Sequence, residues 1–356
     1  MTSLGMLLCS PASAMSPLHL CPLKIGLRLR LRRCSEAAIF LLFSTLCLAP
    51  AELGISHSPA GLPSQLKIAT YNVENYGAIN RRTPHGFRTN YPKSEAAKRA
   101  LRQAIRALNA DILVLQEMGP VEYLLELQRD LKSEGLDYPY SVLMRGPDEA
   151  RHVAALSRIP FASVHEHTPL RFEYQNGVED VKRGLLELGF DTSNGPLLLW
   201  VLHLKSRYTN NKADPESAIR RAAEAVRIRE FILQRITDTE TDLYLILGDF
   251  NDTKASSPIR YLMQRGDLRF SHLLPVSDSH SEHWTYHNAR DDSYARVDHI
   301  LASSAVLPFV KNGSAEIADG PQVRDASDHR PVSVTLDFSA LPSKDPNWEV
   351  PRSLKD

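Results

Sequence analysis

The stretch DLYLILGDFND, residues 242–252, decides the reading of this chain. Leu243 to Leu247 is a short continuous apolar run closed by Gly248-Asp249, which reads as a buried strand ending in a turn. The residues after it, Asp249, Asn251 and Asp252, are polar and sit where the strand runs out. The same arrangement recurs along the chain. LKIATYN (66–72) alternates apolar and polar residues and ends in Asn72, with Glu74 two positions on. DILVLQ (111–116) is apolar and ends in Gln116-Glu117. LLLWVLHLKSR (197–207) carries His203 directly after its apolar run. ARVDHIL (295–301) places Asp298-His299 within a strand, and ASDHRPV (326–332) gives Asp328-His329 just before the last one.

Helices alternate with these strands. The 94–108 segment has Leu101, Ile105 and Leu108 on one stripe. The spacing also predicts helix over 121–132, and over 215–236 with Pro215 at its start. Further strands are expected at 138–144, 152–157, 161–168, 184–191, 197–204, 296–302 and 331–338. This mixture is an α+β chain, with two packed sheets flanked by helices.

Composition agrees with an ordinary folded protein. Of 356 residues, 43% are hydrophobic, and 42 Lys+Arg balance 42 Asp+Glu. That excludes a disordered, collagenous or polytopic membrane protein, and argues against a cationic protein that coats nucleic acid. All four cysteines (Cys9, Cys21, Cys34, Cys47) lie in the first 47 residues, so nothing later can supply a disulfide or a thiolate metal site.

The N-terminus reads as an address. Arg28, Arg30, Arg32 and Arg33 precede a 13-residue apolar run, Ala37 to Ala49, and a small-x-small pattern at Ala49-Pro50-Ala51. We expect a secretory signal peptide over 1–51, directing the protein to the periplasm or outside the cell. The run is short of the roughly 20 residues of a membrane span, so an uncleaved anchor is the weaker reading. Leu46 before Cys47 also argues against a lipid anchor. Cleavage would leave 37 basic and 41 acidic residues, a net charge of −4. A linker over 52–65, one domain over 66–338 and a polar tail over 339–356 follow, in a chain expected to be monomeric.

Each strand-end residue has an ordinary reading alone. Asn72 could make an Asx turn, His203 could be a core histidine, and Asp298 or Asp328 could be half of an ion pair. Together they gather hard oxygen donors and a base at one edge of a sheet pair. Like charges there cost energy unless a cation or a catalytic task compensates. The donors suit magnesium, with manganese or calcium as alternatives, rather than structural zinc.

GDFND, the late SDH and the strand-ending QE, in this order, resemble the endonuclease/exonuclease/phosphatase superfamily over about residues 66–338. HLKSR is similar to secreted bacterial nucleases of that superfamily. The resemblance implies a four-layer αββα sandwich and a divalent-metal-dependent phosphoric ester hydrolase. It implies Glu117 as the principal metal ligand, with Asn72, Glu74 and Asp328 completing or supporting the site. Asp249 and Asn251 would orient and activate the attacking water. His329, bonded to Asp298, would meet the scissile phosphate, with His203 nearby. Arg183, Lys205 and Arg296 are candidates for further phosphate contacts.

The leading expectation is a nuclease acting on DNA or RNA. The alternative is the same core acting on a small or lipid phosphate ester, of the inositol phosphate or sphingomyelin type. A membrane-lipid enzyme should carry an exposed apolar hairpin, and Trp284 and Tyr286 are too few to signal one. A non-catalytic protein would be expected to have lost some of these residues, and none is missing. The basic, aromatic segment 80–92 reads as a loop that could contact phosphate and stack a base, with a plain surface loop the favoured reading, and His280, His283 and His287 are expected to belong to a polar loop rather than a second metal site.

Overall fold

The computed structural model describes residues 63–83 and 85–339, which lie within the unit His57–Asp356. The expected signal peptide (1–51), all but the last three residues of the linker (52–65) and all but the first residue of the tail (339–356) lie outside the described residues.

Two mixed sheets form the centre. One has seven strands in the order Val276–Ser277, Ala315–Ile317, Val332–Asp337, Gln65–Tyr76, Ile112–Met118, His152–Ser157 and Tyr140–Leu143. The other has six, in the order His272–Leu273, Asp298–Ala302, Tyr244–Asp249, Gly195–His203, Leu185–Thr192 and Ser163–His167. In a strand, alternate side chains take opposite faces. Leu66 and Ile68, Ile112 and Val114 therefore meet Leu199, Val201, Leu245, Leu247 and Ile300 in the core between the sheets. The intervening residues Ala69, Tyr71, Leu113 and Leu115 face outward, and are covered by α1 (Glu95–Leu108), α2 (Val121–Ser133) and α5 (Pro321–Ala326). Trp200, Leu202, Ile246 and Leu301 are covered by α3 (Ala218–Thr239) and α4 (Ser257–Met263). The layers run helix, sheet, sheet, helix, as the expected αββα sandwich requires.

Helix α1 matches its sequence signals. Ser94 caps it by accepting from the Ala97 amide, Leu101, Ile105 and Leu108 are buried, and Asn109 ends it in a left-handed conformation. Two local expectations are corrected. Pro215 opens a 3-10 turn (Pro215–Ser217) rather than the long helix, which begins at Ala218 after Glu216 and Ser217 take positive φ. Asp214 explains the break, because its carboxylate accepts from the amides of Ile219 and Arg220 and acts as a displaced cap. The segment 80–92 is not an irregular loop but a two-stranded hairpin, Ile79–Thr83 with Gly86–Tyr91. Its strands pair only with each other, so they carry no core-facing apolar period to announce them. Among the described residues, no helix is long and apolar enough to cross a membrane.

Candidate active site

Strand register assembles the site. His203 lies beside Asp249 in the parallel pair, and Asp249 lies beside Asp298 in the antiparallel pair. In the facing sheet, Asn72 pairs with Gln116. The two-residue period that sends Leu245, Leu247, Val201 and Ile300 into the inter-sheet core sends Asp249, His203 and Asp298 to the same face. Polar residues thus cap one end of an apolar core.

The buried part of this site is tightly bonded. Asp249 accepts from Asn72 Nδ2 at 3.0 Å, the Asn251 amide at 2.8 Å and Asn251 Nδ2 at 3.2 Å. Burial nevertheless pushes its carboxyl up to about 7. The His329 Nδ1 lies 2.8 Å from Asp298 Oδ2, and its Nε2 is 4.0 Å from Asp249. Burial would lower the His329 pKa, but the carboxylates of Asp298 and Asp249 outweigh it and hold the imidazolium well above its ordinary value. His203 is the opposite case. Burial, then the positive charges of Arg183, His329, Arg151 and Lys205, keep it neutral, and its Nε2 stands 3.5 Å from Asp249 with neither ring nitrogen hydrogen-bonded. One end of the core therefore holds a proton acceptor, a charged donor and a neutral imidazole.

A half-buried acidic rim adjoins it. Glu74 and Glu117 follow irregularities in their strands and take φ of 47° and 61°. Non-glycine residues in this region are strained, and such strain persists where surrounding bonds hold it. The Asn75 amide donates to Glu117 at 3.0 Å, and Lys93 Nζ reaches Glu74 Oε2 at 3.0 Å. Burial, with Glu74 and Glu117 adding repulsion, raises Asp328 to about 6. Three neighbouring carboxylates, Glu74, Glu117 and Asp328, backed by carboxamides, fit a hard divalent cation. Asn72 itself is engaged at both ends, its Oδ1 accepting from the Glu74 amide. A cleft of about 730 Å³ opens beside Glu74 and Asp328, lined also by Trp284, His287, Tyr294, Pro321 and Val323.

The three basic candidates differ. Arg183 is buried against Asp148 at 3.2 Å. Lys205 is lowered to about 8 by burial and Arg183, and its Nζ donates to the Ser206 and Tyr208 carbonyls. Arg296 donates to the Leu274 carbonyl and is lowered to about 10, chiefly by burial. The loop histidines find separate partners: His280 lies near Asp319, His283 bonds the Val276 carbonyl, and His287 bonds Asp292.

Sequence reasoning missed several supports. Ser327 Oγ donates to the Asn72 carbonyl and accepts from the His329 amide, tying the SDH segment to the first strand. Thr285 Oγ1 accepts from the Asp298 amide. Arg151 Nε donates to Asn75 Oδ1 at 2.7 Å. Only Ser327 had a signal, since it stands inside the motif. Lys93, Arg151 and Thr285 are distant in sequence from the groups they hold.

Two packed mixed sheets with acids and imidazoles at one end define a class, the sandwich-fold phosphoester hydrolases. The Endonuclease/Exonuclease/phosphatase family profile matches residues 69–329, and this chain belongs to that family. Its members hydrolyse phosphoester bonds and generally use a divalent metal. Solved structures share the fold at low identity. An endonuclease/exonuclease/phosphatase from Bacteroides vulgatus is 14% identical, with a TM-score of 0.52 over 76% of this chain and 98% of that one. Beta toxin from Staphylococcus aureus is 16% identical, with a TM-score of 0.54 over 76% of this chain and 99% of that one. Truncated TDP2 from Caenorhabditis elegans is 16% identical, with a TM-score of 0.51 over 77% and 98%. No curated protein matches the sequence significantly.

Proposed function

We propose that this chain is an exported, divalent-metal-dependent phosphodiesterase, acting as a nuclease on DNA or RNA. The observation that carries the reading is the meeting of the Asp298–His329 pair, Asp249 with its three donors, and the rim of Glu74, Glu117 and Asp328. Glu117, with Glu74 and Asp328, would hold magnesium, and Asn72 would support them by orienting Asp249. The bound ion would supply charge neutralisation at the phosphate oxygens and a lowered pKa for water. Asp249, buried and raised to about 7, accepts the proton of the attacking water, and Asn251 holds that carboxylate in place. His329 donates from Nε2 to the phosphoryl oxygen as charge builds, while Asp298 fixes its Nδ1. His203, neutral and unbonded, offers a second contact. Arg183 and Lys205 add positive potential around His203, whereas Arg296 is committed to a backbone carbonyl. The 730 Å³ cleft beside the rim favours a diester with a bulky substituent over a bare monoester.

The test is release of acid-soluble nucleotide from plasmid, linear DNA and RNA, with magnesium, manganese, calcium or EDTA, beside Glu117→Ala. Metal-dependent cutting absent from the variant is expected. Cutting of inositol or sphingomyelin phosphoesters alone would overturn the nuclease reading. The arginine cluster and apolar run of 28–49 support export, which N-terminal sequencing of the exported protein checks.

A further inference from the structure

We infer that the hairpin of residues 79–91 is a clamp for the phosphate backbone of a nucleic acid flanking the cut site, an inference that rests on the nuclease reading. From Asn75 to Ser94 the chain has no acidic residue, against Arg81, Arg82, Arg88 and Lys93. Lys93 is spent on Glu74, and Arg81 on the carbonyls of Tyr91, Asn75 and Gly77 at 2.9, 3.0 and 2.8 Å. These bonds pin the hairpin to the segment whose Asn75 amide holds Glu117, so it stands at the rim of the site. Arg82 and Arg88 are exposed, and among the described residues neither has an acidic partner. Arg88 lies directly opposite Arg81 across the strands, a like-charge pairing that costs stability unless an anion is present. Arg82 lies opposite Phe87, which is 62% exposed. Tyr91, 45% exposed, is a second ring at the far end of the strand, and the other exposed strand residues are small or polar, so the pattern is cations among two stacking rings, not an apolar membrane blade. A chain with net charge −4 after residue 51 needs such a local basic feature to hold a polyanion.

The test is anisotropy of a labelled DNA duplex with the purified protein in EDTA, which stops turnover, across about 50 to 200 mM salt. Arg82→Ala/Arg88→Ala should flatten the slope of log affinity against log salt by about 1.8, so wild type loses about tenfold more affinity over that range than the variant does. Arg82→Lys/Arg88→Lys should keep the wild-type slope. Phe87→Ala should weaken single-strand binding about fivefold or more with the slope unchanged. Hydrolysis of bis(p-nitrophenyl) phosphate with magnesium should be the same in all of them, which shows that the variants are folded. An unchanged slope in the alanine variant, with wild type still cutting DNA, overturns the clamp and leaves the nuclease reading standing. Wild type that neither binds nor cuts nucleic acid overturns both. Arginine-dependent flotation with phosphatidylserine vesicles, without a change in the DNA slope, assigns the hairpin to a membrane surface instead.

Discussion

His329 holds its proton because Asp298 and Asp249 outweigh the cost of burying a charge. If the imidazolium is the donor to phosphate, activity persists below its raised pKa and falls as pH rises through it. Asp298→Asn removes the nearest of those charges. The alkaline limb of its pH–rate profile should move down toward the ordinary histidine value, and kcat should drop about 10²-fold or more. A limb that stays in place would remove proton retention from His329's role. Glu117 tests a separate part of the site. Glu117→Gln keeps the size and hydrogen-bonding reach but not the charge, so calorimetric titration should show magnesium binding in wild type and none in the variant. Retained binding would move the ion elsewhere, and the buried group Asp249, Asp298 and His329, with donor atoms within 4.8 Å of one another, would be the next place to look.

Two elements depend on single residues. Gly248 takes φ of 145°, and a Cβ there would stand 2.0 Å from the Leu202 carbonyl oxygen of the neighbouring strand. Gly248→Ala should therefore cost about 3 kcal/mol or more and lower the yield of folded protein, read by urea unfolding. Glu187 joins three elements, bonding His167 at 2.6 Å and Arg235 at 3.1 and 3.0 Å. Burial opposes ionisation, but those two partners outweigh it and hold the carboxyl below its usual range. Its contribution is present above the unfolded pKa of about 4.3 and is lost as pH falls through the lower folded value. Glu187→Gln should be about 2 kcal/mol less stable near neutral pH, with the gap closing below about pH 4. A gap that persists at lower pH would mean that packing, not charge, is what the residue supplies.

At the scale of the molecule, the fold and the chemistry have different sources of stability. The inter-sheet core and the two helix-covered faces are apolar and continuous, whereas the acids lie at one end. EDTA should leave far-UV circular dichroism unchanged while abolishing hydrolysis, and magnesium should restore it. Unfolding on chelation would make the ion structural.

The sequence by itself determined the central strands, the main helices and which residues are candidate donors. Period-two and period-3.6 patterns are local, and Asp249, Asn251, Glu117, Asp298 and His329 stand at strand ends that those patterns reveal. Only the tertiary structure decided which partners they have. Register, set by packing between distant strands, brings Asn72 to Asp249 across 177 residues, and Ser327 to Asn72 across 255. It also gave three arginines different fates: Arg183 is buried on an acid, Arg296 is bound to a carbonyl, and Arg82 is open to solvent. A side chain's chemistry is written in its own residue, but its charge state and availability depend on burial and neighbours that long-range contacts supply.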